Sequence, residues 1–168
     1  MKKLILLPTV FVAVLACQEP TSVSEFTGNE KTYELAAGSA YAINGTITFK
    51  ERTDCYTTVQ INLNGTDGNE KHPVHLHLGS IATPGADVAA LLSPVEAKTG
   101  KSETLLKQLA DETIVRYSDL SKLEACIKVH LSDTGAGRDI VLAGGNIGAS
   151  YAKALANGRE AIAPCKSE

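Results

Sequence analysis

The sequence predicts an all-β domain, and three observations support this fold class. Apolar and polar residues alternate along several short segments, as they do in half-buried strands. The Asn-Gly pairs that begin at Asn44 and at Asn64 mark tight turns. Helical spacing of apolar residues is confined to two short segments. Many short strands with turn signals and little helix favour a β-sandwich over a parallel sheet.

The clearest strand covers residues 57–64, where Val59, Ile61 and Leu63 occupy every second position between polar residues. Residues 45–50 alternate less cleanly and predict the preceding strand.

Three more strands follow, at residues 74–78, 127–131 and 139–143. In the first two, apolar residues again take alternate positions, so one face of each strand is expected to lie against the core. The third ends at the glycine pair Gly144 and Gly145.

A longer connection, residues 94–124, separates the early strands from the late ones. Within it, residues 103–111 carry leucines at positions 105, 106 and 109, a spacing that predicts a short helix. Residues 149–157 predict a second helix near the end of the chain.

The N-terminus predicts export. Lys2 and Lys3 precede an apolar run at residues 4–15, which is shorter than the roughly 20 residues that a membrane-spanning helix needs. The run ends at Val-Leu-Ala-Cys, closing on Cys17, which resembles the lipobox of bacterial lipoproteins. The resemblance implies a signal peptide at residues 1–16 and a lipid on Cys17. The alternative is an ordinary signal peptide with a cysteine beside its cleavage site.

The sequence also predicts how the whole chain is organised. We expect a flexible polar tether at residues 17–31, one β domain at residues 32–151 and a C-terminal tail at residues 152–168. Cleavage after residue 16 leaves 152 of the 168 residues, enough for one domain with its own core. The lipid would attach the protein to a bacterial membrane, facing the periplasm or the cell surface.

Charge narrows the range of partners. The chain has a net charge of −3, and loss of the two lysines of the signal peptide makes it −5. A nucleic-acid partner is therefore not expected, because nucleic-acid binding depends on a positive surface. The membrane, reached through the lipid, is the one partner that the sequence predicts.

Three cysteines remain after the lipidation site: Cys55, Cys126 and Cys165. An exported protein meets an oxidising environment, so a disulfide between two of them is expected, with the pairing left open. Their spacing contains no Cys-x-x-Cys motif of a redox or zinc-ribbon site.

Three histidines occupy the polar faces of two predicted strands. His75 and His77 share one face of the strand at residues 74–78, and His130 lies on the polar face of the strand at 127–131. If these strands are neighbours, the three imidazoles converge, and imidazole suits copper and zinc. The alternative is a solvated strand face whose histidines only form hydrogen bonds.

Residues 72–79, with the sequence His-Pro-Val-His-Leu-His-Leu-Gly, resemble the His-x-x-His-x-His stretch of copper/zinc superoxide dismutases. Cys-Ile-Lys-Val-His, ending at His130, is similar to the later strand that supplies that family's last copper ligand. The resemblance implies that His75, His77 and His130 bind copper, with His72 in a supporting position outside the ligand set.

The CHRD domain is a second family that the chain resembles. It also combines a His-x-His-x-Gly strand with a late strand ending in histidine, and the loop and strand at residues 84–92 and the connection at residues 101–124 are closer to it. Both families are Ig-like Greek-key β-sandwiches. The resemblance therefore implies that fold, with one or two short helices in the connections.

The chain departs from the dismutase pattern in its metal site. No histidine lies between His77 and His130, so the bridging and zinc-binding histidines are missing and no zinc is expected. Val141 stands where the family has its guiding arginine, Arg138 is three residues out of register, and Gly144 replaces a cysteine. These departures argue against an active dismutase.

The expected function is that of an exported, membrane-anchored lipoprotein whose domain binds copper through three histidines. The alternative is a non-catalytic binding or structural module of the CHRD type without metal. An active superoxide dismutase is the least favoured of the three.

Overall fold

The computed structural model describes residues 24–158 and 160–164. Its eight strands are β1 (Phe26–Ala37), β2 (Asn44–Arg52), β3 (Thr57–Asn64), β4 (Lys71–Leu78), β5 (Val88–Glu96), β6 (Lys101–Leu106), β7 (Glu124–His130) and β8 (Val141–Ile147). A single α-helix, α1 (Gly148–Asn157), follows β8 in the described chain, and short 3-10 helices lie at Tyr117–Asp119 and Gly135–Arg138. The all-β prediction is confirmed.

The strands pair antiparallel in the order β1-β2-β3-β6-β5-β4-β7-β8, and β8 pairs back to β1. The sequence predicted two facing sheets, whereas this ladder closes into a barrel. Its two narrowest seams are β5–β6, which registers through Glu96 and Lys101, and β1–β8, which registers through two residue pairs. Between the seams lie two well-paired groups of four strands.

Alternating residues of the strands fill the barrel. Ile47, Ile61, Leu76 and Ile127 are each at most 1% exposed and belong to one continuous apolar core. Burying a side chain of this size stabilises the fold by about 1.5–3 kcal/mol before the entropy of ordering it is counted. The period of two in the sequence therefore sets which face of each strand points inward.

The structure confirms five predicted strands and one predicted helix. Each predicted segment overlaps an observed element: residues 45–50 overlap β2, 57–64 match β3, 74–78 lie in β4, 127–131 overlap β7, 139–143 overlap β8, and 149–157 lie in α1.

The helix predicted at residues 103–111 is wrong. Residues up to Leu106 form β6, which pairs with β3 from Lys101 opposite Asn62 to Leu106 opposite Thr57. The leucine spacing fits a helix, but pairing with β3 satisfies the backbone and buries Leu106. Leu109, the third leucine of the pattern, is buried in the loop that follows.

The observed elements extend past the domain boundaries that the sequence predicts, at both ends. Part of the tether predicted at residues 17–31 belongs to the barrel, because β1 begins at Phe26 and pairs with β2 from there. At the other end α1 continues to Asn157, past the predicted limit at residue 151. The polar composition of residues 27–32 misled the prediction, since both faces of this part of β1 are exposed.

Several predictions fall on parts of the chain outside the described residues. These are the signal peptide at residues 1–16, the lipidation site Cys17 and the third cysteine, Cys165. Cys55 is exposed and Cys126 is buried, and no disulfide joins these two described cysteines.

Across residues 24–158 and 160–164, no helix combines the length and the apolarity needed to cross a bilayer.

Candidate metal centre

The two strands that carry the histidines are neighbours in the barrel. β4 pairs with β7, with His75 opposite Lys128 and His77 opposite Cys126. Because Leu76 and Ile127 point into the core, the alternate residues on both strands point outward onto one shared face. His75, His77 and His130 meet on this outer face, as the sequence predicted for neighbouring strands.

The three imidazoles are close enough to share an ion. One nitrogen from each ring lies within 4.8 Å of the other two. Ring centroids are 4.7 Å apart for His75 and His130, 5.7 Å for His75 and His77, and 6.3 Å for His77 and His130. Nitrogens bound to one ion at about 2 Å lie within about 4 Å of each other. The observed spacing, up to 4.8 Å, is slightly wider, so binding one ion would draw the three rings closer together.

Main-chain carbonyls fix the orientation of two of the rings. His77 Nδ1 donates to the carbonyl of Ala86, and His130 Nδ1 donates to the carbonyl of Arg138, each at 2.8 Å. A carbonyl oxygen only accepts, so the proton of each neutral ring lies on Nδ1 and the lone pair on Nε2. This arrangement is typical of metal-binding histidines, whose second nitrogen is held by a carbonyl or carboxylate.

His75 is less constrained. It is half-buried, and among the described residues neither of its nitrogens forms a hydrogen bond. Either nitrogen is therefore available to an ion, whereas His77 and His130 present Nε2.

Burial keeps the three rings neutral. Desolvation, followed by repulsion from His77 and from Arg138, lowers the pKa of His75 to about 4. Desolvation and then the neighbouring His75 lower the pKa of His130 to about 4. Desolvation is also the largest cause that lowers the pKa of His77. Neutral imidazole is the form that binds metals, so the site needs to lose no protons at neutral pH.

His72 lies outside the three-histidine cluster. It is buried, and its Nδ1 is hydrogen-bonded at 3.1 Å to the carbonyl of Leu131, the residue that follows His130. This bond ties the start of β4 to the end of β7. The supporting role predicted for His72 remains a prediction.

The cluster contains neither carboxylate nor thiolate among the described residues. An ion held there would have three neutral nitrogen ligands from the protein. Such a donor set suits copper or zinc better than calcium or magnesium, which prefer oxygen.

No family model, curated protein or solved structure matches the chain.

The sequence does not predict the burial of Lys128. A lysine at an outward strand position normally predicts a solvated side chain, yet Lys128 is 0% exposed and its Nζ donates to the carbonyl of Ala163 at 2.9 Å. It lies opposite His75 on the neighbouring strand and two residues from His130 on its own. The two supporting carbonyls were also missed, because main-chain groups leave no signal in the sequence.

The carbonyl that holds Lys128 belongs to a segment, residues 160–164, that we call the C-terminal strap. Glu160 accepts hydrogen bonds from Ser80 and from Asn146 Nδ2. The amide of Ala163 donates to the carbonyl of Ile81 at 3.0 Å. The strap is thus bound to the connection between β4 and β5, the same connection that supports His77 through Ala86.

Proposed function

We propose that the protein binds one copper ion through His75, His77 and His130. The observation that carries this proposal is the convergence of three imidazole nitrogens within 4.8 Å. Divalent copper binds a given nitrogen site more strongly than zinc or the other first-row metals, so copper is the expected occupant. His72 supports the site from outside the ligand set, through the backbone next to His130.

We further propose that the domain is a Greek-key β-sandwich of the CHRD or dismutase-like kind. Three consecutive strands, β4, β5 and β6, pair in sequence, and β3 lies beside β6, which is the Greek-key arrangement. The two narrow seams of the barrel also support a division into two four-stranded layers.

For cellular location we propose a bacterial lipoprotein anchored through Cys17 and facing the periplasm or cell surface. The support is the lipobox-like tetrad and the signal-like N-terminus. With β1 beginning at Phe26, residues 18–25 would reach at most about 27 Å, at roughly 3.4 Å per residue. Replacing Cys17 with serine should move the protein from the membrane fraction to the soluble fraction, and an unchanged distribution would reject the anchor.

We do not propose dismutase activity. The bridging histidine is missing, and the chain's negative charge opposes the approach of an anion. Superoxide turnover indistinguishable from that of free copper is therefore expected. Turnover well above this level that falls in Arg138→Ala would instead support an enzyme.

Metal analysis of the full-length exported protein, purified in detergent without a polyhistidine tag, tests the copper site. After copper loading and dialysis we expect about one copper per chain. His77→Ala and His130→Ala should each lose the copper, whereas His72→Ala should keep it, because His72 lies outside the cluster. Unchanged copper content in His77→Ala and His130→Ala would reject the site and favour a module without metal.

A further inference from the structure

The charges around the three-histidine cluster are unusual for a site that holds a cation. Lys128 is fully buried on the same face, adjacent to His75 across the strand pair. The positive charge of Arg138 also acts on His75, and that of Lys128 acts on His77 and His130. The exposed Asp87 acts in the opposite sense on His77. Of these three charged side chains, Lys128 and Arg138 therefore disfavour positive charge on the rings and Asp87 favours it.

The strap holds the lysine in place. Its ammonium donates to the carbonyl of Ala163, and the strap is fixed through Glu160 and through the backbone of Ile81. A lysine on an open strand face would swing into solvent, where water and salt screen its charge. The completely buried Lys128 is instead fixed beside the ligand set.

From this arrangement we propose that the site binds cuprous copper more tightly than cupric copper, and that Lys128 contributes to this preference. The proposal rests on the copper site proposed above. Repulsion between Lys128 and the ion scales with the charge of the ion, so it is twice as large for Cu(II) as for Cu(I). Burial adds to the preference, because desolvation also penalises the ion of higher charge more strongly.

The ligand set points in the same direction. Cu(II) favours tetragonal coordination by nitrogen and oxygen, which needs more than three donors. The described residues offer three histidines and no further acidic or thiol group in the cluster. Cu(I), with a filled d shell like that of zinc, has no such geometric demand.

Competition with chromophoric chelators, run separately for the two oxidation states, tests the proposal. Cu(I) is measured without oxygen and with ascorbate as the one-electron reductant, and Cu(II) is measured in air without ascorbate. The full-length protein should bind Cu(I) more tightly than Cu(II) by roughly tenfold or more. Lys128→Met should narrow this ratio by roughly tenfold, equal to about 59 mV for a one-electron couple.

Two further variants separate charge from folding. Arg138→Gln removes an exposed charge while leaving the carbonyl that supports His130, and it should narrow the ratio by about two- to threefold. Lys50→Met, at an outward position on β2, should leave the ratio unchanged. If circular dichroism shows that Lys128→Met is unfolded, Arg138→Gln decides the question.

The outcomes distinguish the two proposals. Failure to bind either oxidation state overturns the copper site itself. Binding of both states with Cu(II) as tight as Cu(I) or tighter overturns only the cuprous preference. A ratio unchanged in the folded charge variants overturns the role of the charges.

Discussion

Two strand pairs of the barrel, β2–β3 and β4–β7, are built on the same alternating pattern and differ on their outer faces. Inside, Ile47 and Ile61 of the first pair are as buried as Leu76 and Ile127 of the second. Outside, the polar residues of β2 and β3 are mostly exposed or half-buried. His77, Lys128 and His130 on the outer face of β4–β7 are at most 2% exposed. The alternating pattern therefore determines which residues face the core. Segments outside these strands determine how deeply the outer residues are buried.

Three segments cover the outer face of β4–β7, and each supplies one main-chain carbonyl to a basic side chain. The connection at residues 79–87 supplies Ala86 to His77, and the connection at residues 131–140 supplies Arg138 to His130. The C-terminal strap supplies Ala163 to Lys128. Burying polar groups costs free energy unless each has a hydrogen-bond partner. These carbonyls therefore lower the cost of burying the basic side chains on the outer face of β4–β7, which we call the covered face.

Burial, and not the alternating pattern alone, distinguishes the outer face of β4–β7 from that of β2–β3. A strand face that served only stability would gain from apolar residues at these positions. Three buried basic side chains, His77, Lys128 and His130, lie on this face beside the half-buried His75, and stability alone does not explain them.

The largest expected effect is the pH dependence of stability, which should come from the covered face alone. Unfolded histidines titrate near pH 6.5, whereas His75 and His130 titrate near 4 in the fold. As the pH falls below 6.5 the unfolded chain gains protons that the folded chain does not, so stability is lost. Urea denaturation of the metal-free protein should show a loss of about 3 kcal/mol between pH 7 and pH 5, discounted for partial exposure.

A control separates these rings from other titrating groups. The double variant His75→Gln, His130→Gln should show a much smaller change across the same pH range. A wild-type stability that is flat within about 0.5 kcal/mol would contradict the desolvated state of the rings.

A second prediction compares two lysines at outward strand positions. Lys128→Ala removes a fully buried side chain and leaves the carbonyl of Ala163 without its donor, so it should cost about 2–3 kcal/mol in urea denaturation at pH 7. Lys50→Ala on β2 breaks one surface ion pair with Glu30 and should cost less than about 1 kcal/mol. Equal losses of stability in the two variants would contradict the difference between the two outer faces.

The smallest effect concerns two asparagines. The buried Asn146 accepts from the amide of Ile81 at 2.7 Å and donates to Glu160. Asn146→Ala leaves a buried amide without its acceptor and should lower the free energy of unfolding by about 1–2 kcal/mol. Asn62→Ala, at an exposed position on β3, should change it by less than about 0.5 kcal/mol. A neutral Asn146→Ala would mean that the strap contributes little to the covered face.

The sequence predicts the parts of the fold that one strand's own pattern decides. Val59, Ile61 and Leu63 alternate cleanly, and the observed bounds of β3 match the prediction. The prediction for residues 103–106 failed because the leucine spacing there fits a helix. Pairing with β3 makes the segment a strand instead. The prediction for the polar start of β1 failed for a related reason, since pairing with β2 makes this segment a strand.

The candidate site also has one part that the sequence predicts and another part that it does not. The shared face of His75 and His77 follows from their spacing, and the position of His130 follows once β4 and β7 are neighbours. Lys128 gives no sign of its burial in the sequence, because the strap that covers it lies more than thirty residues later in the chain. Ala86 and Arg138 act through their carbonyls, which every residue possesses.

X-ray absorption spectroscopy at the copper edge of the loaded protein tests the central claim most directly, because it identifies the ligands rather than the uptake. We predict three imidazole nitrogens at about 2.0 Å, one fewer in His75→Ala, and an unchanged spectrum in His72→Ala. A spectrum dominated by sulfur or carboxylate ligands, or one unaffected by His75→Ala, would contradict a copper site built from His75, His77 and His130.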